Sequence, residues 1–416
     1  MTKTTYKKYS KYKPSGIDWL GDIPVGWNLS PVRAILKERK EENKKLEIDN
    51  ILSVIKGKGV IRYADKGNVG NKSSERPETY KIVRANDLVL NSMNLVIGSV
   101  GMAHEEGVTS SVYIIYQARP AVADPNFYHY IFQAVPFQKH LASYGRGIME
   151  LREAVKERDI RNQLVILLPL KTQKRIADFL DEKTKIIDGL VAKKQWLIEL
   201  LREKRSVLIT RAVTKGLNPK AKMKPSGIDW LGDIPESWKT ISLGNLLAYE
   251  QPGPYICNTI DPTRHSEDIT PVLTANKGFI IGYTEEKNDV YKKLPVIIFD
   301  DFTTNKKFVD FPFKIRSSAL KILKIRKAEN DIRFVFRSME ILGFHVLEHN
   351  RHWISIYSKE KIAHPSLQIQ KQIANFLDTE TAKMDKATAL IESQIEKLKE
   401  YRSSLIYHAV TGKIRV

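Results

Sequence analysis

The chain has 416 residues, 42% of them hydrophobic, a net charge of +20 and one cysteine, Cys257. About two or three domains with real cores fit that length, and so large a positive surplus favours a polyanionic partner, nucleic acid first. The lone cysteine excludes an internal disulfide and suits a reducing compartment. No run is long enough to cross a bilayer, and the basic opening MTKTTYKKYSKYKPSG is no secretory leader, so a cytoplasmic protein is expected.

In chain order, residues 13–27 read KPSGIDWLGDIPVGW, and the motif returns at residues 224–238 as KPSGIDWLGDIPESW. Pro, Ser and Gly open it and Pro24 or Pro235 stops it. It reads as a turn anchored by Trp19 or Trp230, without chemistry of its own. Residues 30–170 form a first variable region, with strand-type runs at 51–55, 87–90 and 110–116 and a helical stretch at 127–141 around Pro136. The run 164–168 ends in Pro169 just before a long helix. Residues 239–365 form a second variable region, with strands expected at 271–274, 279–283, 296–299 and 318–325 and a helix at 332–342.

A second repeat follows each variable region. Residues 173–214 and 370–411 align without a gap, Gln173 with Gln370, Phe179 with Phe376, Arg205 with Arg402 and Ala212 with Ala409. In the first copy Leu180, Thr184, Ile187, Val191, Lys194, Ile198, Leu201, Arg205, Leu208 and Ala212 alternate four-then-three spacing, and the second copy carries the same stripe. That is a coiled-coil seam. Forty helical residues make a rod of roughly 60 Å, and the other copy is its natural partner. The turn motifs start at 13 and 224 and the helix repeats at 173 and 370, offsets of 211 and 197 residues. The second variable region is therefore 14 residues shorter while the helices keep equal length.

The expected fold is α+β. Two α/β domains are joined by two long helices in an antiparallel coiled coil with a pseudo-two-fold internal repeat. The first domain covers 1–170, the first helix 171–216, a linker and second domain 217–365, and the second helix and tail 366–416. Such symmetry matches a DNA duplex with two different half-sites, one per variable domain, across an unread gap set by the rod.

The chain closely resembles the specificity subunit of type I restriction–modification systems. The resemblance covers nearly all of it. Its carriers are PSGIDWLGDIP twice, LLPLKTQKRIADFLDEKT and HPSLQIQKQIANFLDTET entering the helices, and AVTKG and AVTGK near their ends. It implies two target-recognition domains that read a bipartite, asymmetric DNA sequence. It also implies docking of two modification (adenine methyltransferase) subunits and then of restriction (endonuclease and translocase) subunits. No catalytic centre and no cofactor are implied in this chain. S-adenosylmethionine belongs to the modification subunits, and ATP with magnesium to the restriction subunits. The competing class is a free-standing two-headed DNA-binding protein without enzyme partners.

Candidate chemistry is sparse. Asp300-Asp301 followed by Lys306-Lys307 faintly resembles a nuclease carboxylate–lysine site, but a third carboxylate cannot be placed. His345, His349 and His352 could set two imidazoles on one helical face, yet there is no HExxH pattern and no nearby Cys, so zinc is not expected. GKG at residues 57–59 lacks the Ser or Thr of a phosphate-binding loop. Candidate DNA contacts in the first domain are Lys56, Lys58, Arg62, Asn91, Ser92, Asn94 and Arg146. In the second they are Arg264, His265, Thr303, Thr304, Asn305, Lys306 and Lys307. Arg, Lys and Asn read base edges, while Lys, Ser and Thr hold phosphates. Two copies of one partner need faces that come from the repeat, so Gln173, Ile176, Phe179, Gln370, Ile373 and Phe376 are candidate partner contacts. Packing on the chain's own domains is the alternative for each.

Overall fold

The computed structural model describes residues 6–67, 77–144, 154–263, 269–276, 278–343 and 351–416. It forms two compact units, Met1–Gln195 with Glu392–Val416, and Trp196–Ile391.

In the first unit, a four-stranded antiparallel sheet contains β1 (Leu36–Glu38), β2 (Leu88–Asn91), β3 (Val100–Met102) and β4 (Tyr113–Ala118), in the order β1-β4-β2-β3. β2 is buried along its whole length, and its first three residues, Leu88, Val89 and Leu90, are accordingly a continuous apolar run and not an alternating one. After the sheet come α1 (Pro125–Gln133) and α2 (Val135–Ala142). The single helix expected around Pro136 is thus two. Ala134 is extended, with ψ 116°, because Pro136 cannot donate an N–H to a continuing helix and crowds the residues before it. The chain then enters α3 (Leu170–Lys215), 46 residues long.

Within this unit the first half of α3 packs antiparallel to residues 392–410 of the last helix. Arg402 Nε donates to Asp188 at 2.9 Å and Lys194 Nζ to Gln394 at 2.5 Å. The seam residues Leu180, Thr184 and Ile187 are buried there. One core joins Leu180 and Ile187 to Trp19, Leu20, Phe127, Phe132 and Phe137 from the domain, and to Leu405 and Ala409 from the last helix. A fully buried side chain of that size contributes about 1.5–3 kcal/mol.

The second unit repeats the plan. β5 (Leu247–Glu250), β6 (Val296–Asp300), β7 (Lys306–Val309) and β8 (Leu320–Ile325) form an antiparallel sheet in the corresponding order β5-β8-β6-β7. α4 (Ile332–Glu340) follows, and α5 (Leu367–Val410) closes the chain. Arg205 Nη1 donates to Asp385 at 2.6 Å, the same pairing as Arg402 with Asp188 with the helices exchanged. Exposed pairs of this kind contribute about 0–1 kcal/mol each, so they set register more than stability.

In each unit the variable domain begins and ends in paired strands. Asn28–Pro31 pairs antiparallel with Leu164–Leu167, and Lys239–Ser242 with Lys361–His364. The turn motifs are small hairpins, Tyr12–Pro14 with Asp22–Pro24 and Met223–Pro225 with Asp233–Pro235. Their anchors differ from the expected pair. Trp19 is 5% exposed but Trp230 is 43% exposed, and the buried indoles shared by both copies are Trp27 and Trp238. Trp19 has a ring to lie on, Phe137 of α2 at 4.7 Å between centroids. No described ring covers Trp230.

The C-terminal tail returns to the first hairpin. Tyr12 Oη donates to Gly412 O at 2.9 Å, Arg415 N to Lys7 O at 2.7 Å, and Lys413 Nζ to Asp22 O. Gly412 (φ +73°) lies against Pro24 and Trp27, as Gly216 (φ +75°) lies against Trp238 in the other unit.

Candidate nucleic-acid interface

In the first domain, Lys56 and Lys58 are exposed in the turn joining Leu52–Ile55 to Gly59–Arg62. That hairpin lies directly on β3. A Cβ at Gly101 would fall 2.5 Å from Val60 N, so only glycine permits the approach. Arg62 is exposed, but its guanidinium forks onto Glu105 at 2.8 and 2.6 Å. The same contact holds the Glu105 carboxyl below its usual range. Arg62 Nε and Nη2 are thus committed to that carboxylate.

Asn91 and Ser92 are buried, which corrects their place among the DNA contacts. Asn91 Oδ1 accepts from Met93 N at 3.2 Å and Ser92 Oγ donates to Val112 O at 2.8 Å. Both side chains hold the loop after β2 from inside. Asn94 is half-buried before a short 3-10 turn, Leu95–Ile97. Arg146, Arg264 and His265 lie outside the described residues, as do His345 and His349.

In the second domain the candidates gather at the tip between β6 and β7. Thr303 and Asn305 are exposed, Thr304, Lys306 and Lys307 half-buried. Burial pushes the Lys306 ammonium down to about 8, against a weaker pull from Glu340. Its Nζ sits 5.4 Å from the Tyr357 ring centre, which suits a cation short of water.

The Asp300-Asp301 pair builds this tip. Asp300 Oδ1 accepts the backbone N–H of Phe302 at 3.0 Å and of Thr303 at 2.9 Å. Asp301 is buried against Lys321 Nζ at 3.3 Å and accepts the Trp353 N–H at 2.8 Å. Lys321 also lies 4.5 Å from the Tyr249 ring centre. These carboxylates face loop amides and a buried lysine, which is the arrangement of a braced turn and not of a metal-holding pair.

The sequence reading missed Asn276. Its Oδ1 accepts from Thr303 Oγ1 at 3.1 Å and from Asn305 Nδ2 at 2.9 Å. The signal was the same as for the other loop residues, a polar Asn between two strands, but its partners lie 27 and 29 residues on.

The helix repeats are used inside each unit. Gln173 and Gln370 are fully buried, and Ile176 and Ile373 sit in the domain cores. This corrects the expectation of partner contact for these four, whose side chains this chain already covers. Phe179 and Phe376 are only partly buried. Identical helix positions also meet different domain residues. Tyr130 Oη donates to Asp181 at 2.6 Å and contacts Thr184 at 3.2 Å, whereas Arg337 Nη2 donates to Asp378 at 2.9 Å and Thr381 at 3.2 Å.

No protein-family model matches the chain. Over 178 residues it is 39% identical to the type I restriction enzyme EcoR124I/EcoR124II specificity subunit of Escherichia coli, covering 40% of this chain and 44% of that relative. That alignment therefore spans less than half the relative's length. Over 438 aligned positions it is 23% identical to the putative type I restriction enzyme MjaX specificity subunit of Methanocaldococcus jannaschii, covering 95% and 96%. Among solved structures, a chain described under "Structural basis underlying complex assembly and conformational transition of the type I R-M system" shares the fold. Its TM-score is 0.68 at 12% identity, covering 93% of this chain and 98% of that one. Sequence similarity thus agrees with the repeats in pointing to type I restriction enzyme specificity subunits as what this chain is similar to, and the solved structure shares its fold.

Proposed function

We propose that this chain is the DNA-reading, non-catalytic specificity subunit of a type I restriction–modification complex. Each variable domain reads one half of a bipartite, asymmetric duplex target. The single observation that carries this reading is the repeated scaffold with different tips. The two units share sheet order, strand-paired domain ends and buried-Gln helix entry. Their outer loops differ in both length and residues. Conserving the frame while varying the loops fits two readers of different sequences.

The long helices dock two modification subunits and then restriction subunits in this reading. Trp196, Leu200 and Val207 are exposed on one face of α3, Trp196 at 65%, and exposed apolar groups along one helix face are what a protein partner covers. S-adenosylmethionine is held by the modification subunits, and ATP with magnesium by the restriction subunits. No described helix is long and apolar enough to cross a membrane, and we place the complex in the cytoplasm with its DNA.

The test is methylation-sensitive sequencing of the host genome with and without the gene for this chain. A bipartite methylated-adenine motif should vanish on deletion. A methylome unchanged by deletion overturns the proposal.

A further inference from the structure

We propose that Asn305, aimed by Asn276, reads the major-groove edge of an adenine in the half-site bound by the second variable domain. This rests on the reading above, that the variable domains bind duplex DNA. Asn276 Oδ1 takes one Nδ2 hydrogen of Asn305 at 2.9 Å and the Thr303 hydroxyl at 3.1 Å. That fixes which way the Asn305 amide points. Its second Nδ2 hydrogen and its Oδ1 remain as an adjacent donor and acceptor on an exposed side chain. Adenine presents the complementary pair, N7 as acceptor and N6 as donor, whereas guanine presents two acceptors and repels Oδ1.

The tip is braced beyond what a solvated turn needs. Asp300 N donates to Asn305 O at 2.8 Å and Thr304 N to Asp300 O at 2.9 Å, in addition to the Asp300 carboxylate bonds to Phe302 and Thr303. Thr304 has φ +59°, a strained conformation for a β-branched residue that persists only where its surroundings impose it. Beneath it the buried Asp301–Lys321 pair is a costly anchor for a surface loop. A rigid tip loses little conformational freedom on binding, so its donor–acceptor pair is spent on recognition. Phe302, 36% exposed beside it, adds apolar surface of the kind that contacts a thymine methyl.

The experiment uses the assembled methyltransferase complex in two ways. Genome methylation is sequenced in strains carrying Asn305→Ala or the gentler Asn305→Ser, and the wild-type complex is bound to duplexes carrying 7-deazaadenine at each adenine of that half-site in turn. Loss of N7 at one position should weaken wild-type binding by about 5- to 150-fold, the range for one donor left unpaired in the interface. The same replacement should cost the Asn305 variants little, and their motif should relax at that position while the other half-site stays unchanged. A half-site without an A·T pair, indifference of the wild-type complex to every replacement, or variants with the original motif overturns the assignment. If both variants fail to assemble, Asn276→Ala replaces them, and retention of full 7-deazaadenine sensitivity in it also overturns the assignment. A wild-type strain with no motif dependent on this chain sinks the specificity-subunit reading instead.

Discussion

The side-chain oxygen of Gln173 accepts the backbone N–H of Asp124 at 2.8 Å, and Gln370 accepts that of Asp331 at the same distance. Asp124 and Asp331 are the N-caps of α1 and α4, so each glutamine ties the start of a domain helix to the start of a long one. Gln173 Nε2 also donates to Val122 O and Leu168 O, and Gln370 Nε2 to Pro365 O. Substituting Gln173 with Ala strands three backbone groups, Leu168 O buried and Val122 O and Asp124 N partly buried, and a buried group left unpaired costs about 1–3 kcal/mol. We expect Gln173→Ala to lower unfolding free energy by about 2–3 kcal/mol, and Gln370→Ala by somewhat less. Urea denaturation of the purified chain checks the order; equal, near-zero losses contradict it.

The Asp301–Lys321 pair predicts an asymmetric mutational response. Lys321→Met leaves a buried carboxylate without its counter-charge and should cost about 3–5 kcal/mol. Combining it with Asp301→Asn should recover much of that loss, because the unpaired charge goes with it. A double variant no more stable than the single would show that the pair's bonds to Trp353 and the tip dominate instead.

Lys306 gives a pH dependence of known sign. Its folded pKa is lowered from 10.5 to about 8 by burial, so the unfolded chain binds the extra proton more readily. The charged form therefore weakens the fold below about pH 8, and that penalty fades as pH rises from 8 towards 10.5. Lys306→Met should stabilise the chain at pH 7 and lose its advantage over that window. If Lys306 also serves DNA, the same variant should bind duplex more weakly. Parallel melting and binding measurements separate the two effects.

Gly412 predicts a cost that another left-handed glycine does not share. A Cβ there would fall 2.6 Å from the Pro24 ring, whereas at Gly16, also φ +73°, nothing lies within 4 Å. Gly16→Ala should cost about 1–2 kcal/mol for conformation alone, and Gly412→Ala about 1–3 kcal/mol more for the clash. Because the tail meets the first hairpin, a circular permutant with the old termini joined and a new opening between residues 216 and 224 should fold. Consistently insoluble permutants would tell against the tail docking.

Charge supplies the last expectation. If the +20 surplus neutralises phosphates, duplex affinity of the assembled complex should drop about 10³-fold or more between roughly 50 and 200 mM salt. A flat salt response would remove electrostatics from the binding account.

What was legible in the sequence was periodic. The heptad stripe fixed the seam, and Leu180, Ile187, Ile198, Leu377, Ile391 and Leu405 are buried as that spacing requires. Strand runs such as 296–299 were visible because four consecutive apolar β-formers have little else to do. Direction of burial was not visible. Asn91 and Asn305 are the same residue type at the end of comparable hairpins, yet one is buried and the other exposed. The difference lies in neighbours from distant segments, the Tyr113 hydroxyl 3.5 Å from Asn91 Nδ2 in one case and Asn276 in the other. Trp230 was unreadable for the same reason, since its identical motif lacks a described counterpart to Phe137.

The paired strands at the ends of each variable domain have an evolutionary consequence. Chain entry and exit lie side by side, over four residues in each strand, so the intervening segment forms a cassette with a common doorway. Recombination between related genes at those seams would exchange a whole variable domain and leave its frame in register. The duplicated hairpin sequence, nearly identical at residues 13–27 and 224–238, offers crossover points of the right kind. If each variable domain reads one half-site as proposed, a population carrying a few first cassettes and a few second ones holds the product of their numbers in specificities, without a new scaffold ever having to evolve.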